Sequence, residues 1–426
     1  LIPVAQSRRS DQRPYRWNIA WLLGLGVLVN YFDRVNLSVS HQALIATFGI
    51  SNVAFGYLSG AYNWTYALCQ LPIGAMLDRY GVKRIGRIST FLWSVASFGA
   101  AATPNLGGFF AARLVLGVGE APTFPANAKA IGQWFPAKER SFATAIFDSA
   151  AKFSSAIGVP LIGLMLLSLG WRLSFAVTGL ISLGYFLLFR IAYRDPEDER
   201  VAPEAAAPDT ELRMTTASSS LGYLVRQRKV LGLAIGFGSY NYVFYLLLTW
   251  LPSYLSASLH VDLRHSFLYT GVPWLCATII ELTVGGWLVD TLIRRGRNAN
   301  RVRKMVLVGG MAFGLGILGA AHAKTPLQAL VWISISISGL SAAAPVGWSI
   351  PSLIAPRGSV GKVGGIMNFS NQLSGIAAPI VTGYLVSARQ SFTLAFGVSA
   401  VYLLVGIAAY IFLLGRIEPV PPDPAV

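Results

Sequence analysis

Four stretches of this sequence set charged side chains inside long apolar runs, in types and spacings that suit proton and anion chemistry. Asp33-Arg34 interrupts the run 17–39, and Arg113 and Glu120 stand seven apart in 107–131. Asp148 and Lys152 are four apart in 141–168, and Glu281 stands alone in 266–289. A charge at the centre of a membrane helix costs about 2.5–3.5 kcal/mol on insertion scales, so such residues face a bundle interior or a watery cavity. A guanidinium stays charged and offers a planar fork to a carboxylate, which makes Arg34 or Arg113 a better anchor for an organic anion than a lysine. A carboxyl group is the matching proton carrier. Desolvation favours its neutral form and a nearby guanidinium its ionised form, so an anion that occupies the guanidinium changes the balance. Seven residues are two helical turns on one face, about 10.5 Å along the axis, so Arg113 and Glu120 can project into one cavity at different depths. The alternative is that Asp33–Arg34 and Arg113–Glu120 are static salt bridges. Asp148 and Lys152 have the spacing of a helix salt bridge, or Lys152 meets a second acidic group of a ligand. Glu281 either pairs with a neighbouring helix, faces a watery path or titrates.

Membrane helices are the elements that must hold these groups. The chain is 54% hydrophobic and 12% charged, with 43 glycines and a mean hydropathy of +0.56, values foreign to a soluble protein of 426 residues. Windows of roughly 20 residues, the length that spans about 30 Å of hydrocarbon, mark the membrane segments. Twelve are found: 17–39, 53–77, 85–103, 107–131, 141–168, 172–193, 229–256, 266–289, 304–322, 326–354, 362–387 and 391–415. Basic residues in short loops stay on the cytoplasmic side. With the N-terminus inside, 26 of the 34 Lys and Arg residues fall in inner loops and tails, while Arg172, Arg264, Lys324 and Arg389 fall in outer loops. Both termini are therefore expected in the cytoplasm. The formal charge of +16 is this bias together with attraction to anionic lipid, which excludes a nucleic-acid partner. Cys69 and Cys276 both lie within predicted helices, and four scattered histidines give no metal-ligand spacing. The first apolar stretch is too long and too charged for a cleaved signal peptide and is expected to remain as the first helix.

Residues 194–228 separate two halves. Arg194-Asp195-Pro196-Glu197-Asp198-Glu199-Arg200 leads into Ala/Pro and Thr/Ser stretches, read as a cytoplasmic linker that is poorly ordered over 201–218 and carries a short helix near Leu221–Gln227. The domains expected are an N-terminal six-helix bundle, 1–193, the linker, 194–228, and a C-terminal six-helix bundle, 229–426. An internal repeat links the halves. Gly74-Ala75-Met76-Leu77-Asp78-Arg79-Tyr80-Gly81-Val82-Lys83-Arg84 follows the second segment, and Gly286-Trp287-Leu288-Val289-Asp290-Thr291-Leu292-Ile293-Arg294-Arg295-Gly296 follows the eighth. The two aspartates are 212 residues apart, half the chain, as in two parallel repeats. Gly74 lets two helices approach, Asp78 can cap a neighbouring helix, and the basic run beginning at Arg79 pins the loop to the inner surface. Breaking these contacts would accompany opening to the cytoplasm.

The Gly-x3-Asp-Arg-x-Gly-x-Lys-Arg loop and its partial repeat at Asp290 resemble the signature loop of the major facilitator superfamily. A narrower resemblance covers nearly the whole chain. Tyr31-Phe32-Asp33-Arg34-Val35-Asn36-Leu37, Tyr66 to Pro72, Arg113 with Glu120-Ala121-Pro122 and Phe124-Pro125, Trp134-Phe135-Pro136 with Glu139-Arg140, and Gly364-Gly365 with Asn368-Phe369 are similar to the anion:cation symporter family. That family includes proton-coupled bacterial carriers of sugar acids such as galactonate and glucarate, and resembles vesicular glutamate and sialic acid transporters. The resemblance implies Asp33 and Glu120 as proton sites, and Tyr31, Tyr66, Trp348 and Asn368 as residues that line the substrate site beside Arg34 and Arg113; Lys152 joins them as a substrate contact on its charge alone. The sequence departs from the sugar-acid members at Asp148 and Lys152, where they tend to be neutral, and at Ala151, where they carry a glutamine nearby. Pro122 and Pro125 interrupt the fourth segment just past Glu120, as a simple kink or as backbone freed to line the cavity.

The second half offers amides and aromatics rather than charges: Tyr240, Asn241, Tyr242, Phe244, Tyr245 and Trp250, then Trp348, then Asn368, Asn371 and Gln372. Most such aromatics are packing or belt residues, but neutral donors opposite an arginine suit a polar body behind a carboxylate. The expectation is an all-α membrane protein with twelve transmembrane helices in two six-helix bundles, a monomer in the cell (inner) membrane. It would carry small organic anions, sugar acids first and dicarboxylic or aromatic acids next, with protons as the coupling ion and no cofactor or metal. A proton-driven exporter and a non-transporting sensor are the other classes. Two cavity arginines speak against the first, and the lack of a sizeable soluble output domain against the second. No hydrolase or nucleotide motif suggests an enzyme.

Overall fold

In hydrocarbon every backbone N–H and C=O must be satisfied within its own segment, so long apolar runs fold as helices. The computed structural model describes residues 4–135, 140–195, 219–356, 359–421 and 423. Its first helix, α1, is Val4–Val39. A short helix, His41–Phe48, turns the chain into the run Asn52–Ala102, which bends at Gly81 and so forms α2 (52–80) and α3 (82–102). The fourth rod, α4, is broken into Leu106–Glu120 and Thr123–Trp134. The run Arg140–Ala192 bends at Gly170 and gives α5 (140–169) and α6 (171–192). After the short helix Leu221–Arg226, α7 is Arg228–Leu259. Next, α8 runs through Leu263–Ile280, a π-helical stretch Glu281–Leu288 and Val289–Arg294. The last four are α9 (Ala299–Gly314 and Ile317–Ala321), α10 (Pro326–Ile354), α11 (Val360–Arg389) and α12 (Thr393–Ala408, continued as a π-helical Ala409–Leu414).

Each rod falls on one of the expected segments, with α1 reaching back to Val4. The turn at Gly81 needs φ +76, a backbone region open to glycine and strained for other residues. Among the described residues, six helices are by length and composition alone apolar enough to cross a membrane, or seven with the bent pair His41–Phe48 and Asn52–Gln70. The run Ala143–Ala192 contains two rods, whereas the two parts of the broken α4 are each too short to count, and α1 and α11 are diluted by polar residues. The helix expected near Leu221–Gln227 is present. The linker stretch 201–218 and Pro136–Glu139 of the fourth motif lie outside the described residues.

Contacts between the halves gather at the end of the rods that bears the 39–52 turn. There α2 meets α11 so closely that a Cβ at Gly56 would stand 2.6 Å from the Pro379 carbonyl oxygen. On the other side α5 meets α8, with Gly271 against the Ala156 carbonyl. Between them α1 meets α7: Ser38 Oγ donates to the Thr249 carbonyl (2.8 Å), and His41 bridges Ser253 Oγ (2.6 Å) and Asn52 Oδ1 (3.0 Å). At the end that bears the 79–84 loop, Asn368 Nδ2 donates to Gln70 Oε1 across the halves (3.3 Å).

Candidate functional site

Two cavities meet between the halves, divided by Arg34 and Tyr245, which line both. The larger holds about 530 Å³ of empty space and is walled by Tyr31, Arg34, Tyr66 and Lys152 on one side and by Tyr240, Trp348 and Asn368 on the other. The smaller, about 350 Å³, lies toward the packed end and is lined by Arg34, Arg113, Tyr62, Asn63 and Thr249. Six of the seven side chains read from the sequence as substrate contacts thus share the larger cavity, while Arg113 lines the smaller one.

Arg34 is the hub. Its Nε (3.2 Å) and Nη2 (3.1 Å) both donate to Glu120 Oε2, and Nη2 also donates to the Tyr62 hydroxyl. The guanidinium carbon lies 4.3 Å from the Tyr31 ring centroid and 4.6 Å from that of Tyr62, within cation–π range. Local helix geometry brings these rings in. Tyr31 is one turn before Arg34, and Tyr62 and Tyr66, four apart, share a face of α2 with ring centroids 5.4 Å apart. Tyr62 went unread in the sequence, although its i,i+4 spacing from Tyr66 was a usable signal.

Glu120 closes the first part of α4, fully buried, directly before the break. Pro125 has no N–H to give the Ala121 carbonyl. Gln70 Nε2 donates to that carbonyl instead (3.2 Å), and Asn368 donates in turn to Gln70. The proline break therefore connects α4 to α2 and through it to α11. Proline at 125 does free a backbone carbonyl, and a side chain takes it up.

Asp33 and Arg34 do not pair with each other, because adjacent helix residues point about 100° apart. The Asp33 carboxylate turns into the first bundle, where it accepts from Ser97 Oγ (2.6 Å) and Ser182 Oγ (3.3 Å). Arg113 Nη1 reaches the Asp33 backbone carbonyl at 3.4 Å, and its guanidinium lies 5.6 Å from the Tyr62 ring. The pairings Asp33–Arg34 and Arg113–Glu120 considered from sequence are thus replaced by one cross-helix pair, Arg34–Glu120.

Lys152 holds a second cluster in the same cavity wall. Its Nζ stands 3.3 Å from Asp148 Oδ2 and 3.0 Å from Glu281 Oε2, the latter on α8 in the other half. Of the loop residues, Arg79 and Asp290 are exposed, with the Arg79 guanidinium 5.2 Å from the Tyr80 ring. The surroundings of Gly74 and the side chain of Asp78 lie outside the described residues. Among the described residues no group of three or more His, Cys, Asp and Glu is arranged to hold a metal ion.

The family model described as Major Facilitator Superfamily matches residues 23–379. The chain belongs to the Major Facilitator Superfamily. Within that superfamily it is similar to the uncharacterized transporter YybO of Bacillus subtilis (strain 168), 38% identical over 424 residues that cover 97% of this chain and 98% of YybO. It is also similar to the probable galactarate/D-glucarate transporter GarP of Escherichia coli (strain K12), 30% identical over 426 residues and 95% of each chain. A solved D-xylose-proton symporter shares the fold, with a TM-score of 0.75 at 16% identity over 95% of this chain and 99% of that one. The protein is a multipass membrane transporter with two six-helix bundles, and not an enzyme. The resemblance to sugar-acid carriers read from the motifs is borne out by such relatives.

Proposed function

We propose that this facilitator is a proton-coupled symporter of small organic anions, sugar acids foremost, working by alternating access. One observation carries the reading: a guanidinium that faces the inter-half cavity is held by a buried glutamate. A substrate carboxylate needs the same donors that Glu120 occupies. When it takes them, Glu120 is left in a low-dielectric site without its cation, a state that costs several kcal/mol and that a proton relieves. Anion binding and proton uptake are then one event. Asp33, held by two serine hydroxyls beside the backbone carbonyl that Arg113 reaches, is the second proton site, and Arg113 receives the anion on its way to Arg34.

Tyr31, Tyr66, Trp348 and Asn368 supply the polar and aromatic wall suited to a hydroxylated body. Lys152 in the same cavity favours acids with a second carboxyl. Galactarate and glucarate, named for the relative GarP, have one at each end.

The two bundles, 1–193 and 229–426, rock as units joined by the cytoplasmic linker 194–228. Gly74, Asp78, Arg79 and Asp290 belong to the loops that part on opening. The basic-residue bias supports a cell (inner) membrane protein with both termini in the cytoplasm, and the packing at the opposite end supports an inward-facing arrangement. We take the working unit to be a monomer that needs no cofactor. The test is uptake of labelled galactarate or galactonate into proteoliposomes under an imposed pH gradient. Accumulation that a proton ionophore abolishes is expected, and uptake indifferent to the gradient would overturn proton coupling.

A further inference from the structure

Lys152 is one ammonium between two carboxylates. Asp148, one helical turn away, travels with it on α5, while Glu281 comes from the opposite half. All three side chains are buried. The other groups that face them bring no compensating charge: Tyr240 and Phe244 from α7, with the Phe244 centroid 6.0 Å from Nζ, and Tyr31 from α1. Helix α10, packed on the π-helical stretch where Gly285 meets the Ala342 carbonyl, has no charged residue over 326–354. With every group ionised the cluster has a net charge of −1.

Asp148 and Lys152 line the large cavity, and Glu281 approaches Lys152 from the α8 side. An acid group arriving through the cavity would put three carboxylates on one ammonium. An additional uncompensated carboxylate in a buried site costs several kcal/mol, so one of the three must yield. Asp148 is tied to Lys152 by helix spacing, and the incoming acid is anchored at its other end by Arg34. Glu281 has neither constraint, its carboxyl lies against that of Asp148 and so can share a proton with it, and it begins a π-helical stretch, a feature often found at functional positions.

We propose that Glu281 is a further proton acceptor, loaded only when the second acid group of a dianionic substrate displaces it from Lys152. This inference rests on the sugar-acid reading of the cavity. The proton passes from water in the cavity to the Glu281 carboxylate, Lys152 keeps its own, and the cluster with its guest stays at −1. A dianion then crosses with one proton more than a monoanion, and both move the same net charge.

Galactarate and galactonate form the probe pair, since they share a six-carbon chain and differ only in a terminal carboxyl against a CH₂OH. At pH 7 both are fully ionised, because carboxyl groups titrate near pH ~4, so protons taken up on binding go to the protein. With the purified full-length chain in weak buffer and a pH-sensitive dye, galactarate should draw one more proton per molecule bound than galactonate. Its Kd should correspondingly rise about tenfold more per unit increase in pH. In Glu281→Gln the extra proton and the extra slope should vanish while galactarate still binds, and galactonate binding reports that the variant is folded. Equal proton counts for the two acids in the wild type, or an extra proton that survives in Glu281→Gln, would overturn the proposal and leave the transport reading intact. Should neither acid bind the wild type, the sugar-acid reading fails, and this inference with it.

Discussion

Replacing Arg34 by lysine keeps the charge and removes the fork, and the structure sets what that should cost. Two nitrogens of Arg34 converge on one Glu120 oxygen at 3.1 and 3.2 Å, and the guanidinium lies over two tyrosine rings. An ammonium can give one of those donors but cannot lie flat on the rings. A hydrogen bond to a charged group contributes about 1.5–3 kcal/mol and a desolvated cation–π contact about 1–2 kcal/mol, of which lysine retains part. The net loss for a bound carboxylate is on the order of 2–3 kcal/mol, roughly 30–150-fold in Kd. Glu120 holds the same donors before substrate arrives, so it too is weakened by the change, and part of the loss cancels in the measured affinity. In a wild-type background the expected loss is therefore smaller, about 5–30-fold. In a Glu120→Gln background the competitor is gone and the full loss should emerge. Calorimetric titration of galactarate into the four proteins of this cycle, Arg34→Lys with and without Glu120→Gln, measures the difference. Identical losses in both backgrounds would refute competition between Glu120 and substrate, and unchanged affinity in Arg34→Lys would remove Arg34 from the site. Arg113→Lys is the internal control: with a 3.4 Å contact to a backbone carbonyl, a ring contact at 5.6 Å and a place in the other cavity, its loss should stay under about fivefold.

Glu120→Gln mimics the protonated carboxyl, so in proteoliposomes it should still exchange substrate across the membrane while losing the share of proton-driven accumulation that Glu120 carries, including all response to the membrane potential. Should that variant concentrate substrate as strongly as the wild type, coupling does not run through Glu120. With two protons per monoanion, an inside-negative potential of about 100 mV without a pH gradient should drive roughly 50-fold accumulation, from about 2.3 kcal/mol per charge. No response to the potential would reduce the scheme to one proton. Gly271→Val should block closure of the packed end, since even its Cβ would stand 2.5 Å from the Ala156 carbonyl oxygen. Transport should fall at least tenfold, and a cysteine at Ser38, now covered by α7, should become reactive from that face; normal transport would show that α5 and α8 need not meet there.

What the sequence determined by itself follows from the solvent. A bilayer admits only self-satisfied helices, so hydropathy was enough to mark the rods, and the cost of charge in hydrocarbon was enough to single out Asp33, Arg34, Arg113, Glu120, Lys152 and Glu281. The repeat of Asp78 at Asp290 and the positions of the prolines were equally legible, because each depends on local spacing. Pairing was not. Asp33 and Arg34 are neighbours in sequence yet point into different parts of the bundle, and Arg34 finds Glu120 86 residues away. Lys152 had two readings, a salt bridge to Asp148 on its own helix or a contact with a second acidic group of the ligand, and only the approach of α8 gave it a second carboxylate of the chain, 129 residues distant. Gln70 looked like one more polar residue until the fold set its amide against the carbonyl that Pro125 leaves unsatisfied. In each case the energy of the contact depends on a distance between helices, which the packing of two bundles fixes and the order of residues along one helix does not.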